Sequence, residues 1–302
     1  MDLKQLRYFK AVIEAGGFSA ASRQLHIAQP SLSIAVRKLE KELDLTLLHR
    51  GERRVSPTTE GEVLLGHARQ LLAMAEAAEL EMREMRGLAK GEVRLGIPGM
   101  LGSYFFPPIL MGFKHRHPGL RLSVFEQGTR RLQQMIHDGE LDLGVVVADR
   151  PPQDLETRLL TREEMVACVP ADHPFAKRQS IGMEEFLAQE LVVFKPGYFH
   201  REFIDRISEQ VEQAPHIAFE TNLVPLTKAI VRQGFGITTF LRMVLESQPD
   251  EGLVAVPFNE PVHLDLCLAW KHGGYLSHAD RAFVDYILEQ TSGEPGVERS
   301  SD

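Results

Sequence analysis

From residue 64 onward, Leu64, Ala68, Leu71, Ala75, Ala78, Met82 and Met85 recur at alternating steps of four and three on an otherwise polar stretch. That spacing keeps one narrow apolar seam on one side of a helix, and such a seam calls for a partner helix. Small Ala and flexible Met side chains suit close packing there. Thr59 and Glu62 are placed as a capping box at its start, and Gly87 and Gly91 separate its end from the remainder of the chain. Residues 59–90 are therefore expected to form a dimerisation linker helix and hinge, with a separate unit on either side.

Charge divides the chain at the same place. The 302 residues carry a net charge of −8, but residues 1–60 hold ten Lys and Arg against seven Asp and Glu, a net of +3, which leaves −11 for the remainder. A basic unit joined to an acidic body suggests two functions in one chain. Two cysteines, Cys168 and Cys267, both in apolar runs, make no disulfide framework. The opening Met1-Asp2-Leu3-Lys4-Gln5 has no signal-peptide core, and no apolar run approaches the ~18 residues of a membrane span. A soluble, cytoplasmic protein without membrane partners is expected.

In the basic unit, Leu3, Leu6, Phe9 and Ile13 follow helical spacing up to Gly16-Gly17. Ser19 is placed as an N-cap for Ala20–Leu25, with Phe18 as a staple ahead of it. After the short link from His26 to Gln29, Pro30 takes the first turn of a further helix. That helix carries an apolar stripe, Leu32, Val36, Leu39 and Leu43, opposite Ser33, Arg37 and Lys41. Two short helices with a tight link, the second polar and basic on its free face, describe a helix-turn-helix. Leu47–Arg50 and Arg54–Ser56 are strand-like, and Arg50, Arg53 and Arg54 at their tip form a wing suited to phosphate contact.

These residues carry a resemblance. Gly17-Phe18-Ser19-Ala20-Ala21-Ser22-Arg23-Gln24-Leu25, then Ala28-Gln29-Pro30-Ser31-Leu32-Ser33, Arg37-Lys38-Leu39-Glu40, Leu47-Leu48-His49-Arg50 and Pro57-Thr58-Thr59-Glu60-Gly61 resemble the LysR-type transcriptional regulators in order and spacing over about the first 65 residues. The resemblance implies a winged helix-turn-helix (1–58), a linker helix that pairs in a dimer, and a two-lobed α/β effector-binding domain like the periplasmic solute-binding proteins. Assembly as a dimer of dimers, a homotetramer, and contact with RNA polymerase are implied with it. The DNA-binding residues expected are Ser19, Gln29, Pro30, Ser31, Ser33 and Arg37 near bases and sugars, with Arg50, Arg53 and Arg54 on phosphates. Ile34 stands where members often carry a polar or basic residue.

The body, 91–302, alternates strands and helices as an α/β domain does. Lobe I is expected over about 91–161 and 266–290, lobe II over about 162–265, and the polar tail 291–302 is expected to be disordered. No GxSxG, HExxH, P-loop or GxGxxG occurs, and His115-Arg116-His117 reads as a helix C-terminus rather than a metal pair. No catalytic residue, metal site or cofactor is expected, and the chain reads as no enzyme.

A pocket is better supported than a reaction, because ligands of open α/β sheets bind beyond the strand C-termini. Three Gly-containing exits are visible: Gly99, Met100 and Ser103; Gly128 and Thr129; and Lys195, Tyr198 and Phe199. Met100 replaces the hydroxyl residue common at that point in related regulators, while Thr129 is placed like the hydroxyl that lines their cleft. Arg130, Arg131, Lys195, His200 and Arg201 near these exits favour a small organic anion as the effector; as ordinary surface groups they would pair with carboxylates instead. The reading is a DNA-binding transcriptional regulator switched by a small molecule between two lobes. A cytosolic solute-binding or sequestering protein with an N-terminal oligomerisation module is the alternative.

Overall fold

The computed structural model describes residues 1–50, 55–85, 91–148, 154–247 and 252–291. The chain divides into two compact units, 1–89 with 137–140 and 90–136 with 141–302. Arg53, Arg54, the Arg50 side chain and the tail beyond 291 lie outside the described residues.

The first unit opens with α1 (Leu3–Glu14). Asp2 and Gln5 cap it reciprocally, each side chain accepting from the other's backbone N–H. Helix α2 (Phe18–Leu25) ends at His26, whose left-handed backbone (φ 54°) turns the chain into α3 (Gln29–Leu43). Leu6, Phe9, Val12, Ala21, Leu32, Val36 and Leu39 form the core between the three helices. Strands β1 (Leu48–Arg50) and β2 (Val55–Pro57) pair antiparallel as the wing, and the Val55 N–H donates to the Gly16 carbonyl, tying the wing to the α1–α2 turn.

Three expectations need correction here. Ser19 is not an N-cap: α2 starts one residue before it, at Phe18, with Gly17 in the cap position. The cap of α4 (Thr59–Met85) is Thr58, not Thr59. The Thr58 hydroxyl accepts from the Gly61 N–H at 3.0 Å and donates to the Thr46 carbonyl at 2.8 Å, which puts Glu62 one residue beyond capping-box reach. The seam of α4 is also rotated. Ala68 is buried and Leu64 half-buried in their own unit's core, while Val63, Leu71, Met74, Ala78, Met82 and Met85 are exposed. One helix has two apolar faces: its first half closes the winged-helix core, and a second stripe runs the length of the helix.

The second unit is built on a seven-stranded sheet. Its strands are β3 (Glu92–Ile97), β4 (Arg121–Glu126), β5 (Leu143–Val147), β6 (Leu155–Pro170), β9 (Thr238–Leu241), β10 (Leu253–Val256) and β11 (Val262–Lys271), in the order β10-β6-β11-β5-β3-β4, with β9 also on β6. Parallel β3, β4 and β5 carry α5 (Gly99–Tyr104), α6 (Phe106–Arg116) and α7 (Thr129–His137). All five residues of β5 are buried, as a strand covered on both faces must be. A second group comprises α8 (Met183–Leu187), β7 (Glu190–Val193), α9 (Phe199–Gln210), β8 (His216–Glu220), α10 (Val224–Arg232) and α11 (Arg242–Glu246), with β7 and β8 parallel. Strands β6 and β11 run antiparallel through both groups, with a register shift between Leu266 and Cys267. Helix α12 (His278–Thr291) returns to β3, its first turn capped reciprocally by Ser277 and Asp280. Sequence periodicity located most of these elements but not α5, α8, α11, β10 or the first half of β6, which are too short or too polar to show a period.

Candidate functional site

On the helix-turn-helix, burial of Leu32, Val36 and Leu39 turns the opposite side of α3 to solvent. Gln29, Pro30, Ser31 and Arg37 are exposed there, with Ser33 half-buried beside them. Ser19, exposed on α2, donates its hydroxyl to Gln29 Oε1 at 3.0 Å, so two of the expected DNA-binding residues are tied together across the turn. Lys38 and Lys41 extend the basic surface along α3, with Lys38 3.7 Å from Glu42. Ile34 is 65% exposed in the middle of this face.

In the second unit the three expected exits come together. Tyr198 donates its hydroxyl to Glu126 Oε1 at 3.2 Å, and a side chain at Gly99 would meet that same carboxylate at 2.9 Å. Burial and the nearby Glu126 charge push the Tyr198 phenol up to about 12. A Cβ on Gly128 would fall 2.4 Å from the Gly197 carbonyl, so only glycine allows the two loops to approach this closely. Arg130 makes a bidentate pair with Glu202 at 2.8 and 2.9 Å. A cavity of about 360 Å³ opens beside this contact, lined by Thr129, Gln133, Val147, Phe199, Phe203 and Leu264 among others. Of the expected effector residues, Thr129 and Phe199 line it. Met100 is buried, Ser103 returns its hydroxyl to the Gly99 carbonyl, and Lys195 is exposed on its loop.

The electrostatics of this region differ from expectation. Arg130 is neutralised by Glu202, and Arg201 pairs with Asp205 and Glu220 at 2.8 Å each. His200 is fully buried against Phe194 and Phe199, and desolvation drives its pKa down to about 3, so it is neutral. Away from the residues that line this cavity, α10 buries a further lysine, Lys228, 8% exposed. Its Nζ donates to the Val244 carbonyl at 3.1 Å and lies 4.8 Å from the Tyr104 ring of α5. Among the described residues it pairs with no carboxylate.

The LysR substrate binding domain model matches residues 86–292, and the model of the lysR-family bacterial regulatory helix-turn-helix protein matches residues 3–62. The chain belongs to the LysR family. It is a transcriptional regulator, with a DNA-binding helix-turn-helix and an effector-binding domain. It is similar to the uncharacterized HTH-type transcriptional regulator YwbI of Bacillus subtilis (strain 168), 27% identical over 287 residues that cover 95% of both chains. Among solved structures, HinK, a LysR family regulator from Pseudomonas aeruginosa, matches with a TM-score of 0.58 at 26% identity, covering 96% of this chain and 98% of its own. A full-length OxyR variant from Pseudomonas aeruginosa shares the fold with a TM-score of 0.71 at 24% identity, covering 95% of each chain.

The buried lysine that sequence reasoning missed is Lys228. The signal was present: Val224, Thr227, Lys228 and Val231 all fall on the buried face of α10, so a lysine occupies a position that the helical period assigns to the core. The cysteines carry no comparable signal. Both are buried, and burial with the nearby Asp265 charge pushes the Cys267 thiol up to about 11, away from the reactive thiolate.

Proposed function

We propose that this regulator works in the cytoplasm as a homo-oligomer, a dimer of dimers, that holds partly palindromic DNA and is switched by a small organic anion. The observation that carries the DNA half is the division of α3 into a buried stripe and an exposed face of Pro30, Ser31 and Arg37. Two copies related by a two-fold axis would place two such helices in successive major grooves. Gln29, Ser31, Ser33 and Arg37 would contact bases and sugars, with Arg50, Arg53 and Arg54 on phosphates. RNA polymerase would meet the DNA-bound assembly. No cofactor and no enzymatic step is part of this reading. Selecting genomic fragments bound by the full chain tests it, with enrichment of sites showing dyad symmetry as the expected result; recovery without sequence preference would refute it.

Self-association is supported by exposed apolar surface. On α4, Leu71, Met74, Met82 and Met85 follow helical spacing, and replacing Leu71 with Glu would put two charges into the seam of a paired helix. Sedimentation of Leu71→Glu should show a smaller species; an unchanged assembly would place the contact elsewhere. In the second unit, β4 exposes Val124 and Phe125, and β8 exposes Ile217 and Phe219, each strand at a sheet edge. Apolar edges of this kind need a cover.

The anionic effector is supported by Lys228, because a buried ammonium without a carboxylate is costly until an anion joins it. The Arg130–Glu202 pair between α7 and α9 is partly exposed on both sides and worth at most ~1 kcal/mol, so a ligand can part or tighten it readily.

A further inference from the structure

We propose that Ile34 is a specificity-determining residue that reads the C5-methyl group of a thymine in the major groove. The inference rests on the regulator reading and adds a base identity to it. Burial of Leu32, Val36 and Leu39 sets the rotation of α3 about its axis, which turns Ile34 fully outward. At 65% exposure it is the most exposed large apolar side chain in residues 1–50, ahead of Met1, Leu45 and Leu3. On a helix its neighbours three and four residues away are Pro30, Ser31, Arg37 and Lys38, all exposed. Single exposed apolar residues are ordinary on protein surfaces. This one stands at the centre of a polar and basic face that meets DNA.

Isoleucine offers no hydrogen bond, so it cannot read a donor or an acceptor on a base edge. The major groove presents one apolar group, the methyl at C5 of thymine, and apolar side chains distinguish T·A pairs through it. The β-branched side chain holds essentially one χ1 rotamer in a helix, so little entropy is lost when it is pressed against a base. Ser31 and Ser33 are small enough to let this part of α3 approach the groove floor closely. Arg37, one turn further on, is left to read a guanine or hold the backbone. The expected half-site therefore contains a thymine beside the position that Arg37 contacts.

The test uses the full chain and an operator selected from random duplexes. Each thymine of a half-site is replaced in turn by uracil, which removes the methyl and nothing else. Burial of one methyl-sized group corresponds to roughly a three- to fivefold change in affinity. The expected result is a loss of that size at one thymine per half-site. Ile34→Ala, on an exposed helix position, should bind the parent operator more weakly and show no further loss with uracil there. Arg37→Ala should keep the uracil effect, because it reads a different group. Thymine shares its methyl with 5-methylcytosine, so duplexes carrying that base in place of cytosine form a second arm. Tighter binding there with no loss at any uracil overturns the assignment to thymine. The proposal is also overturned if no thymine methyl matters, or if Ile34→Ala retains the full uracil penalty. Failure to select any sequence would refute the regulator reading itself, and the proposal with it.

Discussion

Gly61→Ala should lower the melting temperature of the winged-helix unit by roughly 10 °C, while Gly66→Ala, five residues along the same helix, should raise it slightly. Intrinsic propensity favours alanine over glycine by about 1 kcal/mol at both helical positions. The contacts decide the opposite signs. A Cβ on Gly61 would sit 2.1 Å from the Leu47 carbonyl oxygen and 3.1 Å from Pro57 Cβ, against backbone that holds the wing. A Cβ on Gly66 meets nothing within 4 Å. Forcing an extra carbon into a filled site costs typically 1–3 kcal/mol. In a unit of this size each kcal/mol moves the transition by about 4–8 °C. Displacing β1 or α4 would also disturb the Thr58 cap, whose hydroxyl receives the Gly61 N–H. Thermal unfolding of both variants checks this. Equal behaviour of the two would mean that α4 and the wing do not approach as closely as the structure places them.

Lys228→Met should make the unliganded protein more stable and remove its response to small organic acids. Methionine keeps the stem of the side chain and deletes a buried charge that has only the Val244 carbonyl and the Tyr104 ring for company. Removing a buried ammonium that has no carboxylate relieves a desolvation cost of several kcal/mol, which outweighs the roughly 1–3 kcal/mol of leaving the Val244 carbonyl without this donor. Binding of an acid to wild type should raise the melting temperature with concentration by mass action. Loss of a charge-assisted hydrogen bond to that acid corresponds to about 10- to 150-fold in affinity. The two effects have opposite signs in one experiment, a higher starting temperature and a flat response, which a merely structural lysine would not produce. A Lys228→Met protein that still responds fully to the acid would remove the anion from the proposed function, and leave the DNA-binding unit untouched.

The sequence by itself determined the elements whose evidence is local. The stripe Leu32, Val36, Leu39 has a period, the turn after Leu25 has its chemistry, β3 and β4 alternate polar with apolar residues and β5 is an apolar run of strand length, so the helix-turn-helix and the α/β alternation were legible from the residues alone. The motif around Ser19–Arg37 was specific enough to indicate the family. What tertiary structure decided were choices between neighbours that local rules leave level. Thr58 and Thr59 are equally good caps in sequence, and the Gly61 N–H and Thr46 carbonyl select the first. Leu64, Ala68, Leu71 and Ala75 share one heptad pattern, and only packing against the three-helix core assigns Ala68 inward and Leu71 outward. Charge is the clearest case. Arg130, Arg201 and His200 lie beside the cleft in sequence, yet two are neutralised by carboxylates 19 to 72 residues away or one turn along α9, and the third is discharged by burial. Coulomb and desolvation energies depend on distance in space, so the helical period could place Lys228 at a core position, but only the folded chain shows that no carboxylate among the described residues meets it there.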